Sequence, residues 1–533
     1  MGPKKIELDL KAGPITCNYG EFDTNANLDS NNKINCNGNT CNITGNGVTA
    51  TQGLITISAA GDYILEGDFQ GQVLIQAQKK DDVHLILNNS SISSNNGPAI
   101  NALEADKVVL TLSGNNKIVD SLNYTGNEKD PDACIFSKTD LTINGDGNLE
   151  VTGVYADAIR STKDIKLVSG NINVNAKGKG IKGKNSICIK DATININSTD
   201  SALKVTSQEN KNKGYLVIDN GKLTISTEND ALHAETHFTN HNGNIDIKAC
   251  KEGIEAQMVD ILGGEIHIKA TDDGINAAQV GKAGEEMPPP PPPGDVFDPS
   301  QPPPPKPFDP HANDGSIYVN IVGGKVYVDV TEEDCDGIDT NGIAYIGGDA
   351  QVFISVNGGE IYGPISTIDA EGDNSIVAGA TFVGTAGDFD WNLMMPPNMR
   401  NNNKEKNNKE KKVKRGEQTD KAKVYQPKVL MEIPMQKAGT ELTLKDKSNN
   451  TIVSFTPGND YSHVLITSPK IVAGETYNLI SGNGNNTQSI VAAKADEGSP
   501  KPPSVTSSSG SLSSISLSMA TLVIAMIVAL LQF

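Results

Sequence analysis

Short stretches of alternating apolar and polar residues recur along much of this chain. Gly147-Asn148-Leu149-Glu150-Val151 returns as Gly170-Asn171-Ile172-Asn173-Val174, Gly221-Lys222-Leu223-Thr224-Ile225, Gly243-Asn244-Ile245-Asp246-Ile247 and Gly264-Glu265-Ile266-His267-Ile268. The period of two predicts short β-strands. Each is followed by a turn in which an acidic or small residue precedes Gly or Ala and then Ile or Leu: Asp157-Ala158-Ile159, Lys179-Gly180-Ile181, Asp230-Ala231-Leu232, Glu252-Gly253-Ile254, Asp273-Gly274-Ile275 and Asp336-Gly337-Ile338. Units repeat every 21 to 29 residues, with no helical period between strands, which leaves no room for a βαβ crossover. A β-sandwich would not require one recurring coil sequence. The pattern predicts an all-β chain, a right-handed parallel β-helix in which Ile266, Ile268 and Ile275 stack on Ile245, Ile247 and Ile254 of the coil below, with coils about 4.8 Å apart.

The pattern also divides the chain. Residues 1–44 form an N-terminal segment and 45–397 the β-helix, interrupted at 284–310 by a proline-rich loop expected to be extended and exposed. A Lys/Asn-rich stretch, 398–423, reads as a disordered linker. A small C-terminal β-module follows at 424–490, then a Ser/Pro-rich spacer at 491–518 and a hydrophobic C-terminal tail at 519–533.

Composition fits this picture and narrows the partners. Aromatics are 5% of the chain, Trp391 is the single tryptophan, and the formal charge is -20. Nucleic acid and anionic membrane surfaces would be repelled, whereas cations or neutral glycans would not. Seven scattered cysteines lack any C-x-x-C pair, so a structural zinc is not expected. Cys36 and Cys41 are close enough to bridge, and the odd total leaves at least one thiol or an intermolecular bond. N-x-S/T sequons at Asn42, Asn88, Asn89, Asn123, Asn197, Asn449 and Asn485 point to the secretory route. At the C-terminus, Ser507-Ser508-Ser509-Gly510, a polar spacer and the apolar run Met519 to Phe533 have the order of a GPI-attachment signal, with a short membrane tail as the alternative. No secretory signal is visible at the charged N-terminus, so the natural start is expected upstream. The expected location is the cell surface, anchored at the C-terminus.

With these motifs in place, the chain resembles bacterial-type carbohydrate-binding proteins with a pectate-lyase-like β-helix, over roughly residues 45 to 480. The residues that carry this are Gly61-Asp62-Tyr63-Ile64-Leu65-Glu66-Gly67, Asp106-Lys107-Val108-Val109-Leu110-Thr111-Leu112, the D-G-I coils, Ser454-Phe455-Thr456-Pro457 and Ala473-Gly474-Glu475-Thr476-Tyr477. The resemblance implies calcium-assisted binding of cellulose or acidic, pectin-like polysaccharide without cleavage.

The candidate chemistry lies in the turns. A strict repeat stacks carboxylates of successive coils, and like charges at that spacing repel. Lys179 relieves Asp157 and Asp200. Asp230, Glu252, Asp272, Asp273 and Asp336 have less relief, with Lys251 nearby, and are either calcium ligands or solvated turn residues. Tyr318, Tyr327 and Tyr362, in successive C-terminal coils, are candidate platforms for sugar rings or half-buried packing residues. His233, His237 and His241 stand four apart, but strands and turns deprive that spacing of meaning. A calcium-dependent lyase is the enzymatic alternative, with Arg160 its one coil-borne arginine, better read as a surface charge beside Asp157. Asp336-Gly337-Ile338-Asp339 is a faint hydrolase motif without its accompanying elements. A surface adhesin or structural wall protein is the further non-enzymatic alternative.

Overall fold

A computed structural model describes residues 10–125, 131–208, 210–279, 315–332, 335–357, 367–387, 422–482, 486–500 and 502–503. The expected coils are present as a parallel β-helix. Each repeat contributes one strand to a short-strand sheet and two to a long sheet: Ile254–Ala256, then Met258–Ile261 and Glu265–Ala270, before Ile275–Ala277 begins the next turn. The stacking read from the sequence holds residue by residue, with Ile245 beside Ile266, Ile247 beside Ile268 and Ile254 beside Ile275. All six are buried in one continuous core that runs the length of the helix. The period of two produces this, since alternate side chains enter the core and their neighbours face outward.

Glycine acts in two ways. Gly264, opening a strand, has φ +79, a conformation that L side chains rarely adopt. Gly274, in the D-G-I turn, is needed for close approach, because a Cβ there would overlap Val328 Cγ1 and the Gly337 carbonyl of the next coil.

The N-terminal segment is the largest departure from the sequence reading. Asn32–Gly38 and Thr40–Thr44 form a hairpin, bridged by Cys36–Cys41, and its first strand pairs with Gly61–Gln70. Residues 10–25 run as a strap across the outer face of the long sheet. Gly13 N–H donates to Tyr318 Oη at 2.8 Å, Ile15 N–H to Thr239 Oγ1 at 3.0 Å, and Tyr19 Oη–H to Asp219 Oδ2 at 2.7 Å. Cys17 bridges Cys188, a pairing that sequence spacing could not reveal. Cys134, Cys250 and Cys335 are buried thiols outside these bridges.

At the other end, Lys428–Gln436 and Tyr461–Thr467 extend the long sheet antiparallel from Thr381–Ala386. A four-stranded sheet shares a hydrophobic cluster with these strands, Leu442, Leu444 and Leu479 packing with Val383, Val429 and Ile466. The proline-rich loop, most of the Lys/Asn-rich linker and the hydrophobic tail lie outside the described residues. No helix among the described residues is long and apolar enough to cross a membrane.

Candidate functional site

Most short-sheet strands from Ile181–Gly183 onward offer one middle position between two inward ones, and the two-residue strand Leu232–His233 is followed by buried Ala234 in the same pattern. Coil register aligns these positions in a single outward row: Arg160, Lys182, Lys204, His233, Glu255, Asn276, Asp339 and Asp369. The row is cationic at one end and acidic at the other. No local motif announces it, because its members lie 21 to 63 residues apart and only the register makes them neighbours.

At the cationic end, Arg160 pairs with Asp132, not with Asp157 as the sequence suggested, and its guanidinium lies 5.9 Å from the centroid of the Phe136 ring. Asp157 is buried and accepts from the Lys179 N–H at 2.8 Å. Lys179 Nζ in turn pairs with Asp200, the expected alternation of charge. Burial, and then the Arg160 charge, lower the Lys182 ammonium below its ordinary value.

At the acidic end, carboxylate oxygens of Asp336, Asp339 and Asp369 lie within 4.8 Å of one another. Asp273 adjoins them through the Asp336 N–H, which donates to its Oδ1 at 2.8 Å. Burial and then the charges of Asp273, Asp369 and Glu371 push Asp339 up to about 7. Asp273 is raised to about 6, chiefly by burial. Asn276 supplies a carbonyl oxygen in the same row, buried and without a hydrogen-bond partner, while its Nδ2 donates to Glu252 Oε2 at 3.2 Å. A hard oxygen donor lacking a proton donor, beside three convergent carboxylates, fits a calcium ligand set. Of the five acids singled out in the sequence, Asp273 and Asp336 thus lie at this cluster, while Asp339 and Asp369 join it through register. Asp272 instead faces Lys251 Nζ at 3.3 Å, and Glu252 contacts the same ammonium at 3.4 Å.

Asp230 departs from that set. It is buried with His233, whose Nδ1 lies 3.4 Å from Asp230 Oδ2 and 2.5 Å from Glu255 Oε2. His237 and His241 are on another face, where their Nε2 atoms meet the Lys11 and Ile15 carbonyls of the strap at 2.9 and 3.0 Å. The three histidines therefore share no site, as expected of strand geometry.

The tyrosine platforms require correction. Tyr318 is fully buried beneath the strap and donates to Asp260 Oδ2 at 2.7 Å, so no sugar can reach its face. Tyr327 is sandwiched between His267 at 4.5 Å and Phe353 at 4.8 Å, nearly parallel to both, which occupies both ring faces. Tyr362 lies outside the described residues. An aromatic surface is found instead at Tyr155, 45% exposed and stacked on Tyr124 at 4.1 Å. Beside it is a groove of about 420 Å³ lined by Leu122, Val154, Asn175, Lys177, Asn197 and Thr199. These residues sit outside the recurring motifs, so no repeat pattern marks them.

Residues 51–285 match the model of a family described as carbohydrate-binding domain-containing protein. A curated relative with that same description, from Acetivibrio thermocellus, is 28% identical over 219 residues, covering 40% of this chain and 77% of the relative. A solved structure described as a polysaccharide lyase-like protein from C. thermocellum is 27% identical, with a TM-score of 0.43, over 44% of this chain and 97% of that one. The family resemblance read from the motifs is borne out over this region.

Proposed function

We propose that this chain is a non-catalytic, cell-surface protein that binds acidic polysaccharide along the outward row of its short-strand sheet, with calcium at the acidic end. The observation that carries this reading is the row itself. Arg160, Lys182 and Lys204 occupy consecutive coils about 4.8 Å apart, a spacing comparable to the repeat of a pyranose chain, so successive uronate carboxylates could each meet a cation. Asp273, Asp336, Asp339, Asp369 and the Asn276 carbonyl would hold calcium, which when bound would bridge their carboxylates to those of the glycan.

The same row argues against a lyase. A calcium-dependent elimination needs the cation and the base at one sugar, but Arg160 and Asp339 are six register steps apart, roughly 29 Å at the usual strand spacing. Arg160 is also engaged by Asp132 and the Phe136 ring. For a neutral glucan such as cellulose, the groove beside Tyr155 offers an exposed ring with amide and hydroxyl partners.

Surface location is supported by two disulfides, which persist in oxidising compartments. Asn42, Asn89, Asn123, Asn197 and Asn449 of the sequons are exposed. Anchoring would fall to the C-terminal tail.

The deciding experiment is retention of the protein on polygalacturonate beads, with absorbance of the supernatant recorded for unsaturated products. The pair Lys182→Ala and Lys204→Ala should weaken retention by about tenfold or more, charge-assisted hydrogen bonds being worth ~1.5–3 kcal/mol each, and absorbance should stay flat. Unchanged retention would remove the row from the binding site, and rising absorbance would establish a lyase.

A further inference from the structure

Three carboxylates converge on the His233 imidazole. Asp230 Oδ2 and Glu255 Oε2 face Nδ1 at 3.4 and 2.5 Å, and Glu235 Oε1 faces Nε2 at 3.4 Å. Asp230, His233 and Glu235 are buried, and Glu255 is half-buried, with 21% of its side chain exposed. We propose that Asp230, His233 and Glu255 form a site for a first-row transition-metal dication of zinc-like preference, separate from the aspartate cluster two register steps further along the row.

Two independent features support it. The first is the donor set. One ligand atom from each of these residues lies within 4.8 Å of the others, and the set mixes imidazole nitrogen with carboxylate oxygen. Imidazole suits zinc, nickel or iron, whereas calcium prefers oxygen alone, so the two metal sites differ in chemistry as well as place.

The second is the support behind the ligands. Metal-binding histidines characteristically donate their other ring N–H to a carboxylate, which fixes the tautomer and raises ligand basicity. Glu235 occupies that position on Nε2, and it is held in turn by the Gln208 Nε2–H donating to its Oε2 at 2.6 Å. His233 and Glu255 are also direct register partners on adjacent strands, so the sheet and not a loop sets their separation.

The test is a calorimetric titration of the full chain with zinc in saturating calcium, repeated with cobalt to record the visible d–d bands of an imidazole-ligated ion. One calcium-resistant zinc site is expected. His233→Gln and Glu255→Gln should each weaken it by more than about 100-fold, and Glu235→Gln by about tenfold, the range for supporting groups. Asp369→Asn should leave zinc binding unchanged while weakening calcium. If His233→Gln does not fold by circular dichroism, Glu255→Gln decides, its side chain being partly exposed. Absence of a stoichiometric zinc site in the wild type, or wild-type zinc affinity in folded Glu255→Gln, would overturn the assignment.

Discussion

Asp23 shows how a single side chain fastens the strap. It is fully buried, with its carboxylate bound by Lys166 Nζ at 2.7 Å, Lys107 Nζ at 2.9 Å and Thr142 Oγ1 at 2.8 Å. Burial alone would raise its pKa, but the hydrogen bonds from Lys166, Lys107 and Thr142 outweigh it and lower the value to about 2. Because the folded pKa is depressed, the stabilisation is complete above the ordinary aspartate value of about 4 and is lost as pH falls through about 2. Replacing Asp23 with Asn leaves two ammonium groups facing a neutral amide. The expected loss is about 3 kcal/mol by urea denaturation at pH 7, the lower end for breaking a buried ion pair. Asp23 looked unremarkable in the sequence, since its partners lie more than eighty residues away.

At the scale of the coil, turn chemistry and core packing are joined through Gly274. A Cβ there would collide with the Val328 side chain and the Gly337 carbonyl, so Gly274→Ala should force the turn outward and cost about 2 kcal/mol, as overpacking does. The shift would displace Asp273, and calcium affinity measured by calorimetry should fall with stability. The charge state of this end predicts a second effect. Glu252, Asp273 and Asp339 have folded pKa values of about 7, 6 and 7, raised first by burial. Groups with raised carboxyl pKa values favour folding while protonated, so without divalent cations the protein should lose stability as pH climbs from about 4 towards 7. Calcium should restore it, and the calcium-induced rise in melting temperature should be larger at pH 7.5 than at pH 5. An equal rise at both values would remove Asp273 and Asp339 from the calcium site.

Across the whole molecule, coils contact mainly their neighbours, so an unbraced solenoid could open from either end. The strap opposes this by linking distant coils, and the Cys17–Cys188 bridge closes a loop across 171 residues of sequence. Loop-closure entropy gives such a bridge about 5 kcal/mol. Cys17→Ser should therefore lower the urea midpoint under non-reducing conditions, and hydrogen exchange should show the loss of protection in the long-sheet strands beneath the strap. Protection unchanged at Cys188 and Asp219 would mean that the strap's hydrogen bonds suffice without the bridge.

The sequence by itself determined the β-helix, its core and the family resemblance, because these follow from a local period repeated at short intervals: Ile245, Ile247 and Ile254 announce their inward direction through their own neighbours. It also marked Asp273 and Asp336 as charged turns. Tertiary structure decided which outward residues meet. Asp339 and Asp369 join that cluster, Asp230 leaves it for His233 and Glu255, and Tyr318 disappears beneath a strap from residues 10–25. The physical reason is that inward positions are fixed by alternation within one strand, whereas outward neighbours depend on coil register and on what later covers the sheet. Both of those depend on contacts between residues far apart in the chain.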